Sequence, residues 1–205
     1  KTTFSGISPS EFFYLNRDLA GFSNPAKALY TATRELVENS LDACESSEIL
    51  PNIYVRMTPV IDQLDNSEPR TYQLKVSDNG PGIDPVKAPD AFGRVFYGSK
   101  YKLRQARGMF GMGGTMAVLY GQITTSKPVV IYTSTDGKKF YKFTLRIDIQ
   151  KNEPVIINKE IIEIADYIRG LSLNEKEEEK KNSDLRLSES EWNVSLQKKK
   201  QKEAI

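Results

Sequence analysis

The chain has 205 residues, 39% of them hydrophobic and 27% charged, with 29 Lys and Arg against 27 Asp and Glu. That length buries one real core, so one domain with a tail is expected, and a net charge of +2 supplies no global field to draw the molecule onto nucleic acid. A single cysteine, Cys44, excludes an internal disulfide, and the absence of histidine argues against a zinc site.

No apolar run approaches the ~18 residues that a membrane span needs, and no secretory leader pattern opens the sequence. An intracellular, reducing compartment is the expectation, with no membrane partner. The first residue, Lys1 rather than Met, suggests a piece of a longer chain.

In chain order, residues 1–22 carry aromatics, Phe4 then Phe12, Phe13 and Tyr14, and read as a short helix after Ser8-Pro9. Asn24-Pro25 is a helix start, with Asn as N-cap and Pro at the first helical position, and the helix runs to about Glu45. Strand-like segments follow at 52–60 and 71–77, joined by a polar turn from Asp62 to Pro69. The run Asp78-Asn79-Gly80-Pro81-Gly82 is a turn or loop. Residues 93–115 form a glycine-rich, basic loop, and Thr115 to Tyr120 suit a helix leaving it. Strands at 128–134 and 139–149 are joined by Thr135-Asp136-Gly137, a hairpin signal. From about Gly170 onward, charge runs at Glu175–Lys181 and Lys198–Lys202 read as solvated helix or disorder.

Within the long helix, Glu35, Glu38, Asn39 and Asp42 fall on one stripe at about 100° per residue, opposite Leu29, Thr33, Leu36, Val37, Leu41 and Cys44. An amphipathic surface helix explains that split. Three acids without an interleaved Lys nevertheless repel one another, and a cation in front of the stripe would relieve them. Glu35 and Asn39 lie one turn apart and reach the same volume. A carboxylate there can orient or deprotonate a water, and an Asn carbonyl oxygen is a hard ligand suited to Mg²⁺.

On the strand 71–77, Tyr72, Leu74 and Val76 share a face, and parity places Asp78 on it too. A carboxylate on an apolar face requires hydrogen-bond donors. An adenine amino group is one suitable donor, with Gly80 and Gly82 letting a flat base approach bare backbone. A tight turn in which Asp78 bonds local amides is the alternative. Gly108-Met109-Phe110-Gly111-Met112-Gly113-Gly114 precedes a helix and can aim several amides at an anion. It is no P-loop, because Gly114 stands at the lysine position and no buried strand feeds it. Lys100, Lys102, Arg104 and Arg107 either neutralise phosphates or line an exposed basic loop.

Together these motifs, Glu-x-x-x-Asn on a helix, Asp-x-Gly-x-Gly after a strand and a glycine lid before a helix, resemble the GHKL ATPases. That superfamily includes gyrase, the Hsp90 chaperone, MutL and the histidine kinases. A wider set resembles the type IIB topoisomerase B subunits, topoisomerase VI: Ser8–Phe13, Ala20-Gly21-Phe22, Asn24-Pro25, Arg34–Ala43, Phe92–Val95, Ser99-Lys100-Tyr101, Arg107-Gly108-Met109, Arg146–Ile149 and Lys151–Pro154. The resemblance covers about residues 4 to 156.

It implies an α/β (α+β) two-layer sandwich of the Bergerat type, helices covering one face of a mixed, mostly antiparallel sheet. It divides the chain into an N-terminal extension at 1–22, a candidate dimer contact or simply core packing, an ATP-binding domain at 23–165 and a charged tail at 166–205. Glu35 becomes the general base, Asn39 the Mg²⁺ ligand and Asp78 the adenine contact, with Gly80 and Gly82 shaping the base pocket and Asp42 at its edge. Ser99, Lys100, Gly108, Met109, Phe110, Gly111, Met112, Gly113, Gly114 and Thr115 join the nucleotide-binding set as the lid and its approach. The cofactors implied are ATP and Mg²⁺. The partners implied are a second copy on ATP binding, a DNA-cleaving topoisomerase A subunit and, mainly through that complex, DNA in a nucleoid or nucleus.

The sequence departs from that pattern where relatives carry a lid lysine and this chain has Thr115. No Gly-Thr strand motif follows Pro154, and the transducer with its ATP-sensing lysine lies outside the sequence. The leading reading is an Mg-ATPase that drives DNA strand passage. A second is a degenerate nucleotide-binding scaffold without turnover, paired with an A-like DNA-cleaving partner. A histidine kinase would need a phosphoacceptor histidine, and the chain has none.

Overall fold

The computed structural model describes residues 6–60, 71–98 and 112–166. Its contacts divide the chain into Lys1–Ile164 and Ala165–Ile205, and of the second unit only Ala165 and Asp166 are described. Among the described residues no helix is long and apolar enough to cross a membrane.

Local capping chemistry sets the first two helices. Helix α1 spans Pro9–Leu15, with the Ser8 hydroxyl accepting from the Glu11 N–H at 3.1 Å. The Ser8 and Ser10 hydroxyls both donate to the Ile149 carbonyl, which fastens α1 to a strand end far along the chain. After a 3₁₀ turn at Arg17–Ala20, helix α2 runs Pro25–Ser46, with Asn24 Oδ1 accepting from the Lys27 N–H at 2.9 Å. Strand β1, Ile53–Pro59, pairs antiparallel with β2, Tyr72–Asp78, so that Ile53 lies opposite Asp78. The turn expected at Asp62–Pro69 lies outside the described residues.

Helix α3, Ala88–Gly93, is too short to leave a periodic signal, and no sequence pattern predicts it. Helix α4 spans Gly113–Thr125, starting two residues before the expected Thr115 and ending five beyond Tyr120. Strands β3, Val129–Thr133, and β4, Lys139–Asp148, form the expected hairpin, and β5, Glu153–Glu163, adds a third antiparallel strand. The expected single four-stranded sheet is therefore, among the described residues, five strands in two antiparallel sets, β1-β2 and β3-β4-β5. The expectation missed β5 because its apolar residues come in runs, Val155–Ile157 and Ile161-Ile162. Opposite Thr144/Leu145 the pairing steps from Asn158 to Ile156, so Ile157 is an extra residue on β5 and breaks its period-2 pattern.

The helices cover one face of β3-β4-β5. Phe13 of α1, Phe22, Ala28 of α2 and Met116, Val118 and Leu119 of α4 bury together with Val95 and Ile147 of β4. Below them Ala88, Ile131, Phe143 and Leu145 close a second cluster. Side-chain amides lock the layers where strands do not. Gln122 of α4 both donates to the Ile147 carbonyl (2.9 Å) and accepts its N–H (2.7 Å), and Asn152 makes the same two-way contact with Val95. Of the opening aromatics, Phe13 is core, Phe12 is 39% exposed, and Phe4 lies outside the described residues.

Candidate nucleotide site

One wall of the site is α2 itself. It runs uninterrupted because Asn24 caps it, Pro25 opens it, and no Gly or Pro falls inside it before Ser46. From Glu35 to Cys44 it rises about 13 Å at 1.5 Å per residue. Two other elements meet it along that length, the start of α4 at one end and the turn after β2 at the other.

At the first end, Glu35 reaches the α4 N-terminus. A Cβ on Gly113 would lie 1.8 Å from Glu35 Oε2, and one on Gly114 would lie 3.1 Å from Asn39 Nδ2. Glycine at 113 leaves room for the Glu35 carboxylate where a side chain would displace it, and at 114 a Cβ would press on Asn39. The first turn of a helix leaves its N–H groups without helical acceptors, so the α4 N-terminus presents donors and the positive end of its dipole beside the Glu35 carboxylate. Glu35 is 16% exposed and pairs with the Arg34 guanidinium at 2.6 Å, while Arg34 Nε stands 3.8 Å from Glu38. The hydrogen bond and charge of Glu35 raise the Arg34 pKa further above its already high value. The repulsion expected along the acidic stripe is thus met in part from within the helix, by Arg34.

At the second end, Asp78 closes β2. Parity places it on an apolar face, but it is exposed. Its Oδ2 accepts from the Ser40 hydroxyl and its Oδ1 from the Gly80 N–H, both at 2.9 Å. Gly80 lies close against α2, where a Cβ would stand 3.4 Å from Cys44 Sγ and 3.6 Å from Ala43. Cys44 is buried, and burial together with the Asp78 charge pushes its thiol pKa up. Asn79 ties the turn to the entry of β1, accepting from the Asn52 N–H at 2.8 Å and donating to the Leu50 carbonyl at 3.0 Å. Gly82 has φ +72°, and a Cβ there would fall 2.0 Å from the Ser134 carbonyl oxygen. Beside it, Thr133 Oγ1 accepts from the Ile83 N–H (2.8 Å) and donates to the Ile83 carbonyl (2.7 Å).

The structure thus gathers Glu35, Asn39, Gly113 and Gly114 at one end and Asp78 and Gly80 at the other, with Gly82 seated on β3. Asp42 is half-buried on α2 between the ends, and both it and Asn39 are engaged in contacts of their own. Two expected lid residues turn away. The Met112 side chain packs against the core, and Thr115, 2% exposed, donates to the Ala91 carbonyl at 3.3 Å. The Thr115 side chain is therefore a core group rather than a phosphate contact, and only its backbone N–H is left to serve the helix end. Ser99, Lys100, Gly108, Met109, Phe110 and Gly111 lie outside the described residues. Sequence reasoning missed Ser40 and Thr133. Both act across the fold, and only the position of Ser40 next to Asn39 hinted at a role. A separate concavity of about 510 Å³, bordered by Leu15, Leu19, Phe22, Pro25 and Tyr120, touches none of these groups.

Comparison with known proteins agrees with this geometry. Residues 24–151 match the family described as histidine kinase-, DNA gyrase B-, and HSP90-like ATPase. The chain is 53% identical over 160 residues to the B subunit of type 2 DNA topoisomerase 6 from Metallosphaera sedula, covering 78% of this chain and 29% of that protein. Over 174 residues it is 49% identical to the corresponding proteins of Saccharolobus solfataricus and Saccharolobus islandicus, covering 84% of this chain and 32% of each. The chain thus spans about a third or less of the length of the curated relatives it matches. The family match takes in more than half of the sequence and every described wall of the cleft, and the chain belongs to the histidine kinase-, DNA gyrase B- and HSP90-like ATPases.

Proposed function

We propose that this chain is the ATP-binding part of a type IIB DNA topoisomerase B subunit, which binds ATP with Mg²⁺, hydrolyses it and closes on it as a homodimer to gate DNA. The observation that carries the reading is that one helix, α2, presents a carboxylate to a helix N-terminus and, farther along, a hydroxyl to an anchored aspartate. Adenine lies at the Asp78 end, where a carboxylate accepts from its amino group and Gly80 leaves the backbone bare. The phosphates extend toward Gly113 and Gly114, whose N–H groups face them. Glu35 orients the attacking water there and takes its proton.

Mg²⁺ suits this end because it needs few protein ligands and completes its shell with phosphate and water. Asn39 would supply a neutral oxygen ligand, and a bound cation would offset phosphate charge. Among the described residues no cluster of three or more acidic or thiol groups forms a dedicated cage. We assign residues 23–165 to the ATP-binding domain, 1–22 to an N-terminal extension and candidate dimer contact, and 166–205 to a charged tail. The cutting of DNA belongs to a separate A subunit, in an intracellular compartment that holds DNA.

Calorimetric titration with a non-hydrolysable ATP analogue and Mg²⁺, with light scattering on the same samples, tests the reading. Saturable binding with a shift from monomer to dimer is expected. No binding at millimolar nucleotide would overturn it.

A further inference from the structure

We propose that Ser40 is the positioning residue that makes Asp78 selective for an adenine edge, an inference that rests on the reading of Asp78 as the base contact. Hydroxyls on helices commonly donate back to the carbonyl four residues earlier, and this protein shows that habit. Thr33 donates to Leu29, Thr124 to Tyr120 and Thr125 to Gly121. Ser40, like Thr31 and Thr115, does not follow it, and of the three it alone donates to a carboxylate. Its hydroxyl leaves the helix and donates to Asp78 Oδ2, 38 residues away in sequence.

The direction of that bond has a chemical consequence. An ionised carboxylate only accepts, so the single Ser40 proton is committed to Asp78. The Gly80 N–H holds the other oxygen, so donors from two different elements fix the plane of the carboxylate. Asp78 remains exposed while Ser40 is 6% exposed, so the ligand meets the carboxylate and Ser40 acts through it. Every atom this pair offers the cleft is then an acceptor. With the six-position substituent of the base set against this pair, the arrangement suits the adenine amino group and opposes the guanine O6, which is itself an acceptor, so guanine must shift to bring its N1–H and N2 donors onto the carboxylate. Without Ser40 the carboxylate keeps one donor and can turn away from the base.

The test titrates the full chain, as wild type, Ser40→Ala, Asp78→Asn and the double variant, with non-hydrolysable ATP and GTP analogues and Mg²⁺. Ser40→Ala removes one atom and favours the helix, so the variant folds. The wild type is expected to prefer the adenine nucleotide. Ser40→Ala should weaken it about tenfold and leave the guanine nucleotide within about twofold, and it should add nothing once Asp78 is already Asn. Equal binding of both bases by the wild type would overturn the Asp78 reading and this inference with it. Discrimination retained in Ser40→Ala would overturn the inference alone. Equal losses for both nucleotides, additive with Asp78→Asn, would reduce Ser40 to a structural role and overturn the inference as well.

Discussion

Gly82→Ala probes the junction where the turn after β2 meets the end of β3. Two costs add there. A side chain at φ +72° is in the left-handed region, at about 1–2 kcal/mol. The new Cβ would also lie 2.0 Å from the Ser134 oxygen and 2.8 Å from its carbonyl carbon, both backbone atoms, so the turn must retreat by more than an ångström. The neighbouring pair of hydrogen bonds between Ile83 and Thr133 Oγ1 cannot survive that retreat, at about 0.5–1.5 kcal/mol each. The sum is about 2–5 kcal/mol, a large share of the roughly 5–15 kcal/mol that keeps a domain folded. Gly137 is an internal control, with φ +66° and nothing within 4 Å of its missing Cβ, so Gly137→Ala carries only the first cost. Urea unfolding of both variants should show Gly82→Ala less stable than Gly137→Ala by about 1–3 kcal/mol. Equal losses would mean that the contact with Ser134 and the Ile83–Thr133 pair contribute nothing.

Glu35→Ala should keep nucleotide affinity while turnover falls about 10²–10⁴-fold, and strong residual phosphate release would remove Glu35 as the base. Gly113→Ala places a methyl 1.8 Å from Glu35 Oε2, the free end of a flexible side chain. The carboxylate can swing clear, so thermal stability should hold while turnover drops about 100-fold, the cost of misplacing a reacting group by an ångström. Turnover at the wild-type rate would locate water activation elsewhere. The Cys44 thiol, raised by burial and by the Asp78 charge, is held protonated by the fold. Stability from this effect is complete below the ordinary thiol range and is lost as pH rises through the folded value. From about pH 7 to about pH 10 the wild type should lose stability relative to Cys44→Ala, and parallel curves would refute the shift.

What was legible in the sequence was local chemistry. Ser8-Pro9 and Asn24-Pro25 announced two helix starts, because a cap and the N–H that donates to it lie within three residues. Asp136-Gly137 announced the hairpin for the same reason, and Asp136 accepts from the N–H groups of Lys138 and Lys139, which lowers its carboxyl pKa. What the register shift in β5 and the six residues of α3 obscure is periodicity, the signal that longer regular elements leave. The family resemblance implies Thr115 as part of the lid. On α4, however, Thr115, Val118 and Leu119 are all buried, an i, i+3, i+4 pattern that marks the core face.

The same geometry explains why the helix pattern shows Glu35 and Asn39 but not Ser40. A single stripe at 100° per residue collects Glu35, Asn39 and Asp42, and those are the residues the helix pattern singled out. Ser40 is turned about 140° from Glu35 around the axis and Cys44 about 180°, so no stripe containing the first end contains the second. A ligand spanning both must cross α2 obliquely, and the turn after β2 has to come round the helix to meet it. Asn79 and Gly82 fix that approach, the first to the entry of β1 and the second to the end of β3. Because the two ends share one uninterrupted helix, helical rise and not loop length sets the distance between the proposed base contact and the proposed water-activating carboxylate.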